Sequence, residues 1–382
     1  MAKTTTLREA AGSLLVVGLA GTELTALERA WLKLVRPAGV ILFRRNIANV
    51  EQTRALLNEA TGLGSRHGVR FVDVEGGTVN RLRDALSPIA SAQAVAAAAR
   101  NAKKPALARK HGELIARSVK AFGFNTTLAP VVDLTLPEST DVLGSRTTGA
   151  TAADVIGYAR EFMAGIAAQG VVTCGKHFPG LGGAGGDTHF VTPEIQRSWE
   201  QIWGEDITPY RELHKQMPII MTNHAAYPRT PGKNEPASAS RFWITDTLRK
   251  RVGYKGLVLS DDLEMGGILK FLPVEEAAVA AVRAGSDLIE ICHSPELILR
   301  SYEALVSEGE KSGAFRKVLF AAARESARKR ARLYARMASP LPMAKSLESL
   351  RSSIGQFNET VAGILKIAEN AAPRSSSPAE AS

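Results

Sequence analysis

Cysteine is scarce in this chain: there are two in 382 residues, Cys174 and Cys292, each set inside an apolar run, VVTCG and LIEICH. Neither has a partner at metal-ligand spacing and two distant thiols make no disulfide framework, so both are expected to be buried free thiols and no metal site is expected. Aromatic residues are also few, at 6%. Without stacking rings or glycine-rich RNA-binding signatures, the formal charge of +10 does not read as a nucleic-acid surface. Much of the excess lies in one helical pattern, Lys311 to Arg336, whose basic face is expected to be solvated. No apolar run approaches the length of a membrane span. Lys3 and Arg8 ahead of LLVVGLAG imitate the start of a secretory leader, but that run is short and reads instead as a first β-strand. The expectation is a cytoplasmic, monomeric, globular protein with no cofactor, no membrane span and no nucleic-acid partner.

What the chain does have is alternation. Eight short β-branched runs, each followed by a helix-length amphipathic stretch, begin at Ser13, Gly39, Arg70, Ala129, Val171, Pro218, Gly256 and Asp287. That rhythm predicts a parallel sheet covered by helices, and eight repeats match a closed α/β barrel of the TIM type, although an open doubly wound sheet has the same signature. Helices are predicted at Val50–Leu63, Ser91–Ala121, Ala152–Ala168, Trp199–Lys215, Ser240–Val252, Val274–Ala284 and Pro295–Ser307, and Thr25 with Glu28 forms a capping box before LERAWLKLV. The long span between the third and fourth runs is expected to hold an insertion. The predicted organisation is a (β/α)8 barrel over residues 1–312, a helical extension over 313–371 and a disordered tail over 372–382.

Barrel enzymes carry their chemistry just beyond the C-terminal ends of the strands. Here the third run ends in Asp73-Val-Glu75, the fourth in Asp133, the fifth in Lys176-His177, the sixth in Asn223-His224, the seventh in Asp261-Asp262 and the eighth in His293. The fifth loop, GKHFPGLGGAGGDTHF, lacks both the Lys-Ser/Thr ending of a P-loop and the GxGxxG spacing, so phosphate binding is disfavoured. Its Asp187 and His189 are one residue apart, close enough for the carboxylate to set the imidazole tautomer and lift its basicity for proton transfer near neutrality. Side chains alternate along extended backbone, which makes Asp261 the inward carboxylate of its pair and leaves Asp262 to orient the loop or cap the following helix. A strand-end aspartate suits attack on an anomeric carbon.

Taken together, GVILFRRNI, DVEGGTVNRL, NTTLAPVVDL, DVLGSR, GKHFPG, the Asp-Thr-His triplet, MTNHAAYP, PASAS, GYKGLVLSDDLEMG and AGSDLIEICHSP resemble the bacterial β-N-acetylglucosaminidases of glycoside hydrolase family 3. The resemblance spans nearly the whole barrel. It implies Asp261 as the nucleophile, Asp187 with His189 as the acid/base dyad, and Asp73, Arg146, Lys176 and His177 as sugar-binding residues. It further implies retaining hydrolysis of terminal β-linked N-acetylglucosamine, as in peptidoglycan fragments. The chain departs from the family pattern at Leu181 and GGAGG before the triplet, and at Val74 and Thr78, with Asp73 and Arg81 retained. Competing expectations are a β-glucosidase or a phosphorylase of the same family, since a neutral histidine base would not repel phosphate, and a non-catalytic glycan-binding barrel.

Overall fold

A computed structural model describes residues 5–185, 192–335 and 345–371. Eight parallel strands close into a barrel: β1 (Leu15–Val17), β2 (Gly39–Leu42), β3 (Val69–Val72), β4 (Thr126–Thr127), β5 (Val172–Phe178), β6 (Ile219–Thr222), β7 (Leu257–Asp262) and β8 (Leu288–Ile291). Each strand pairs with the next in sequence, and β8 returns to β1 through Leu15–Ile289 and its neighbours. The structure therefore decides for the closed (β/α)8 barrel over the open sheet. Chain segments starting at Leu15 that imitate a leader are the first barrel strand, and no described helix is long and apolar enough to cross a membrane.

The predicted elements differ from the observed ones in two informative places. The fourth strand lies at Thr126–Thr127, ahead of the apolar run that suggested it. Beyond it Pro130 can donate no ladder hydrogen bond, and the chain stays beside β5 through the Ala129 and Pro130 carbonyls, which accept from Cys174 N–H at 2.9 Å and Lys176 N–H at 3.1 Å, and through Val132 N–H donating to the Lys176 carbonyl at 2.8 Å. The helix expected over Ser91–Ala121 is two helices, Ala92–Asn101 and Ala106–Ala121, because Pro105 stops the first and opens the second. The expected insertion after β3 is a small antiparallel hairpin of Val74–Gly76 and Val79–Asn80.

Inward-facing residues repeat every second position along the strands, as the pleat requires. Val69 and Phe71 precede Asp73, Val172 and Cys174 precede Lys176, Leu257 and Leu259 precede Asp261, and Leu288 precedes Glu290 and Cys292; the apolar members form one buried cluster inside the barrel. Both cysteines are free thiols within it. The helix Gly313–Tyr334 closes the opposite end: Tyr334 joins the interior cluster and its hydroxyl lies 2.8 Å from Thr126 Oγ1. Its basic face is only partly solvated, contrary to expectation. Arg330 is fully buried and donates to Ser65 Oγ at 2.9 Å and the Arg66 carbonyl at 3.0 Å, while Lys329 reaches the Gly256 carbonyl and Asp287. Long cationic side chains here supply donors to carbonyls that the strand starts leave unpaired.

The helix Lys345–Ala371 packs Leu350, Ile354, Phe357 and Val361 against the two helices that follow the hairpin. Phe357 stacks on His111 with ring centroids 5.8 Å apart. Asn358 accepts from Ala90 N–H at 2.9 Å and donates to the Pro88 carbonyl at 3.0 Å, so this helix clamps the segment beside the hairpin. The hairpin turn needs its glycines: Gly76 and Gly77 have φ of +93° and +60°, and a Cβ on Gly77 would lie 2.7 Å from that of Ser91. The expected disordered tail, 372–382, lies outside the described residues.

Burial holds the His111 imidazole at about 3, far below its ordinary value, despite a hydrogen bond to the Ala90 backbone that favours the charged form. A base with a depressed folded pKa stabilises the fold above its unfolded pKa of about 6.5 and loses that contribution as pH falls. Between pH 6.5 and 3, the wild type should therefore lose up to about 1.4 kcal/mol per pH unit more than a His111→Gln variant. Urea unfolding of both proteins across this range measures the difference; parallel curves would show that His111 is not buried neutral.

Candidate active site

The strand ends surround a pocket of about 250 Å³ lined by, among others, Asp73, Arg146, Lys176, His177, Asp261 and Glu290. Larger grooves of about 410 and 880 Å³ lie elsewhere, between outer helices and at the closed end, and their ion pairs, Arg283 with Glu308 and Arg36 with Glu9, are on the surface and away from the strand ends. The pocket is organised by Lys176. Its ammonium, almost fully buried, lies 2.8 Å from Asp73 Oδ1 and 2.6 Å from Glu75 Oε1. Arg146 grips Glu75 with two hydrogen bonds of 2.9 Å, the fork geometry in which guanidinium binds carboxylate best. Burial opposes ionisation of Glu75, but Arg146 and Lys176 outweigh it and hold the carboxyl at about 2. At Asp73 burial likewise opposes charge, and Lys176 with Arg81, 3.9 Å away, brings the carboxyl below its usual range. The same pairs raise Lys176 and Arg146 against the burial that would lower them.

His177 is held from two sides. Its Nδ1 lies 2.7 Å from Asp133 Oδ2, and Arg146 approaches Nε2 at 3.3 Å. Guanidinium can only donate, so Nε2 accepts and the proton sits on Nδ1, facing Asp133. Asp133 also accepts from the backbone N–H of His177 and, at 2.8 Å, of Leu181. This one carboxylate thus anchors the start of the glycine-rich loop. Leu181 is buried on the pocket wall, and a Cβ on Gly182 would lie 2.5 Å from the Leu134 carbonyl oxygen, so the departure from the family pattern makes a packed foot. The loop returns at Thr192, whose hydroxyl donates to the Gly267 carbonyl just beyond β7. Asp187 and His189 lie outside the described residues.

On the opposite side Asp261 and Asp262 both line the pocket but are used differently. Asp262 Oδ1 accepts from the backbone of Glu264 at 3.1 Å and of Cys292 at 3.2 Å, and Oδ2 faces His293 Nε2 at 3.4 Å. Burial raises its carboxyl to about 7, despite the Glu264 hydrogen bond and with the Glu264 and Asp261 charges adding to the rise. Asp261 is half-buried, its Oδ1 accepting from Asp262 N–H at 3.0 Å.

The rim read from the sequence divides accordingly. Asp73, Lys176, His177, Asp261, Asp262 and His293 converge on the pocket, joined by Arg146 from the loop after β4. Asp133 stands behind His177. Asn223 and His224 are fully buried and tie loops together, Asn223 to the His177 carbonyl and His224 between Ser238 and the Asp262 carbonyl. Two residues escaped the reading. Glu75 was read as part of a strand end without its role as the partner of Arg146 and Lys176, and Glu290 was hidden inside an apolar strand. The alternation of inward positions would have flagged both.

An eight-stranded barrel whose strand ends converge charged donors and carboxylates on a small polar pocket has the architecture of a barrel enzyme with its active site at that face. Residues 6–319 match the glycosyl hydrolase family 3 N terminal domain, and the chain belongs to that family as a glycoside hydrolase. It is 36% identical over 279 residues to a β-hexosaminidase of Idiomarina loihiensis, covering 73% of this chain and 83% of the relative. Among solved structures it resembles a family 3 β-N-acetylglucosaminidase from Paenibacillus sp. str. FPU-7, with TM-score 0.81, 29% identity, and 93% and 69% of the two chains covered. It also resembles NagZ from Neisseria gonorrhoeae in complex with N-trifluoroacetyl-D-glucosamine, with TM-score 0.69, 27% identity, and 82% and 98% covered.

Removing one partner of a buried charge network leaves the others uncompensated. Lys176→Met should destabilise the fold by about 3–5 kcal/mol at neutral pH, less in acid where Asp73 and Glu75 can protonate. Chemical denaturation at pH 7 and pH 4 measures this; a loss below about 1 kcal/mol, or one that is larger in acid, would contradict the network.

Proposed function

We propose that the chain is a retaining β-N-acetylglucosaminidase that removes terminal, non-reducing N-acetylglucosamine from peptidoglycan-type fragments. The observation that carries this reading is the position of Asp261, on the inward face at the end of β7, across the pocket from the Asp73, Lys176, Arg146 and His177 array. Charged donors and acceptors on one wall can hold sugar hydroxyls by strong hydrogen bonds. The carboxylate on the other wall can then attack the anomeric carbon. The names of the relatives and the N-trifluoroacetyl-D-glucosamine held by the gonococcal neighbour support the sugar class.

In this reaction His189, protonated and held by Asp187, gives its proton to the leaving oxygen while Asp261 forms a glycosyl ester through an oxocarbenium-like transition state. Neutral His189 then takes a proton from water, which displaces Asp261 and restores the β-configured product. Residues 1–312 carry this chemistry. Residues 313–371 support it, the first helix closing the far end of the barrel and the second clamping the hairpin next to Asp73 and Glu75.

Trapping with a 5-fluoro-N-acetylglucosaminyl donor followed by peptide mapping should label Asp261; label elsewhere, or inversion of the product, would overturn the assignment. His189→Ala should retain binding and lose ~10²–10⁴ in kcat on poor leaving groups, with a smaller loss on activated aryl glycosides. Equal losses on both substrates would remove His189 from the acid/base role.

A further inference from the structure

The floor of the pocket holds a carboxyl group that neither sugar binding nor the double displacement uses. Glu290 is on β8, opposite Asp262 in register and on the inward face between Leu288 and Cys292. It is 2% exposed and lines the pocket. Its backbone is pinned to β7, its N–H donating to Ser260 Oγ at 3.1 Å and its carbonyl accepting from Leu263 at 3.0 Å. Its side chain is not: Oε1 is buried without a hydrogen-bond partner among the described residues. Asp261 and Asp262 from β7, Asp73 from the end of β3, Lys176 from β5 and Cys292 on its own strand line the same pocket, and the Cys174 thiol of β5 lies in the barrel interior beneath it. The ammonium of Lys176 is already shared between Asp73 and Glu75.

Resting on the reading of Asp261 as nucleophile, we propose that Glu290 is a positioning residue, kept as a neutral carboxylic acid, whose O–H donates to the Asp261 carboxylate from the pocket floor. An ionised Glu290 would set a nearly inaccessible charge beside up to three other carboxyl groups, with Oε1 unpartnered and the Lys176 ammonium already engaged by Asp73 and Glu75. A protonated one converts that cost into a donor. Burial, and after it the charges of Asp261, Asp73 and Asp262, push the Glu290 carboxyl well above the usual range, with Lys176 opposing. A carboxylic acid held neutral in an apolar recess is an established way to place a hydrogen-bond donor against a charged reacting group. Here it would fix the orientation of Asp261 and disperse its charge until attack. Ionisation of Glu290 in alkali would withdraw the donor and add repulsion.

Two variants separate donor from charge: E290Q keeps a donor that cannot ionise, and E290L removes both. With an activated aryl N-acetylglucosaminide, which makes little demand on the acid, E290L should lose roughly 10- to 100-fold in kcat with little change in KM, the size expected for a hydrogen bond to a charged group. E290Q should keep most of kcat and carry its activity further into alkali than wild type. Equal losses in E290Q and E290L, or an unchanged alkaline limb in E290Q, would overturn the proposal. A readout that needs no activity accompanies these. A carboxyl with a raised folded pKa stabilises fully below its unfolded value of about 4.3 and loses that contribution as pH rises. The Tm of full-length E290Q should therefore gain on wild type as pH rises from about 4.3, and a constant gap would show Glu290 to be ionised in the fold. Failure to label Asp261 with a widening Tm gap would sink the nucleophile assignment and the positioning role that rests on it, while leaving the neutral carboxyl in place.

Discussion

One buried ammonium sets the shape of this site. Lys176 lies within 2.8 Å of Asp73 and 2.6 Å of Glu75, and those two carboxylates are in turn engaged by Arg81 and Arg146. Isolated charges at this depth would cost more than the fold can supply, so each member is tolerable only because the others are present. The network therefore joins segments that share no ladder: Asp73 just beyond β3 and Glu75 in the hairpin supply the carboxylates, β5 the ammonium, and the loop after β4 the guanidinium. Through Arg146 it also reaches His177, and through His177 it reaches Asp133 and the foot of the glycine-rich loop. A pocket wall that presents fixed charges before substrate arrives needs little reorganisation when a sugar binds.

Much of this was legible in the residue pattern. The alternation of β-branched runs and amphipathic stretches places all eight strands except the fourth, where the apolar segment at Ala129 advertises a strand that Pro130 cannot complete. The strand-end rule finds Asp73, Lys176, His177 and Asp261, because barrel geometry puts the ends of all inward-facing rows into one space. It cannot separate residues that face the pocket from those that brace it. Asn223 and His224 have the same position and chemistry as true pocket residues, and only their hydrogen bonds to Tyr227, Ser238 and neighbouring carbonyls reveal the difference. Glu290 was missed for the opposite reason: a single acid in an apolar strand reads as an irregularity unless inward parity is tracked residue by residue.

The basic segment near the C-terminus illustrates a similar limit. Charge counting sees an exposed stripe in Lys311 to Arg336, and several of its arginines are exposed, with Arg328 paired to Glu325. Lys329 and Arg330 instead turn inward to strand-start carbonyls, and Tyr334 completes the apolar interior. Whether a cation on a helix faces water or backbone depends on what lies under it, which composition does not encode. The same part of the chain also holds the hairpin in place through Phe357 and Asn358, so residues remote in sequence from Asp73 set the stiffness of its surroundings.

That arrangement has a consequence for synthesis. A ribosome delivers β1 first and Tyr334 more than three hundred residues later, yet Tyr334 is the ring that closes the barrel interior and bonds to Thr126. Until it emerges, the nascent barrel has a wet lower end, with Arg330 not yet available to the carbonyls around Ser65 and Arg66. Synthesis of the helix Gly313–Tyr334 and sealing of the barrel are thus coupled, and a product terminated before Tyr334 would still expose the apolar interior that quality control recognises.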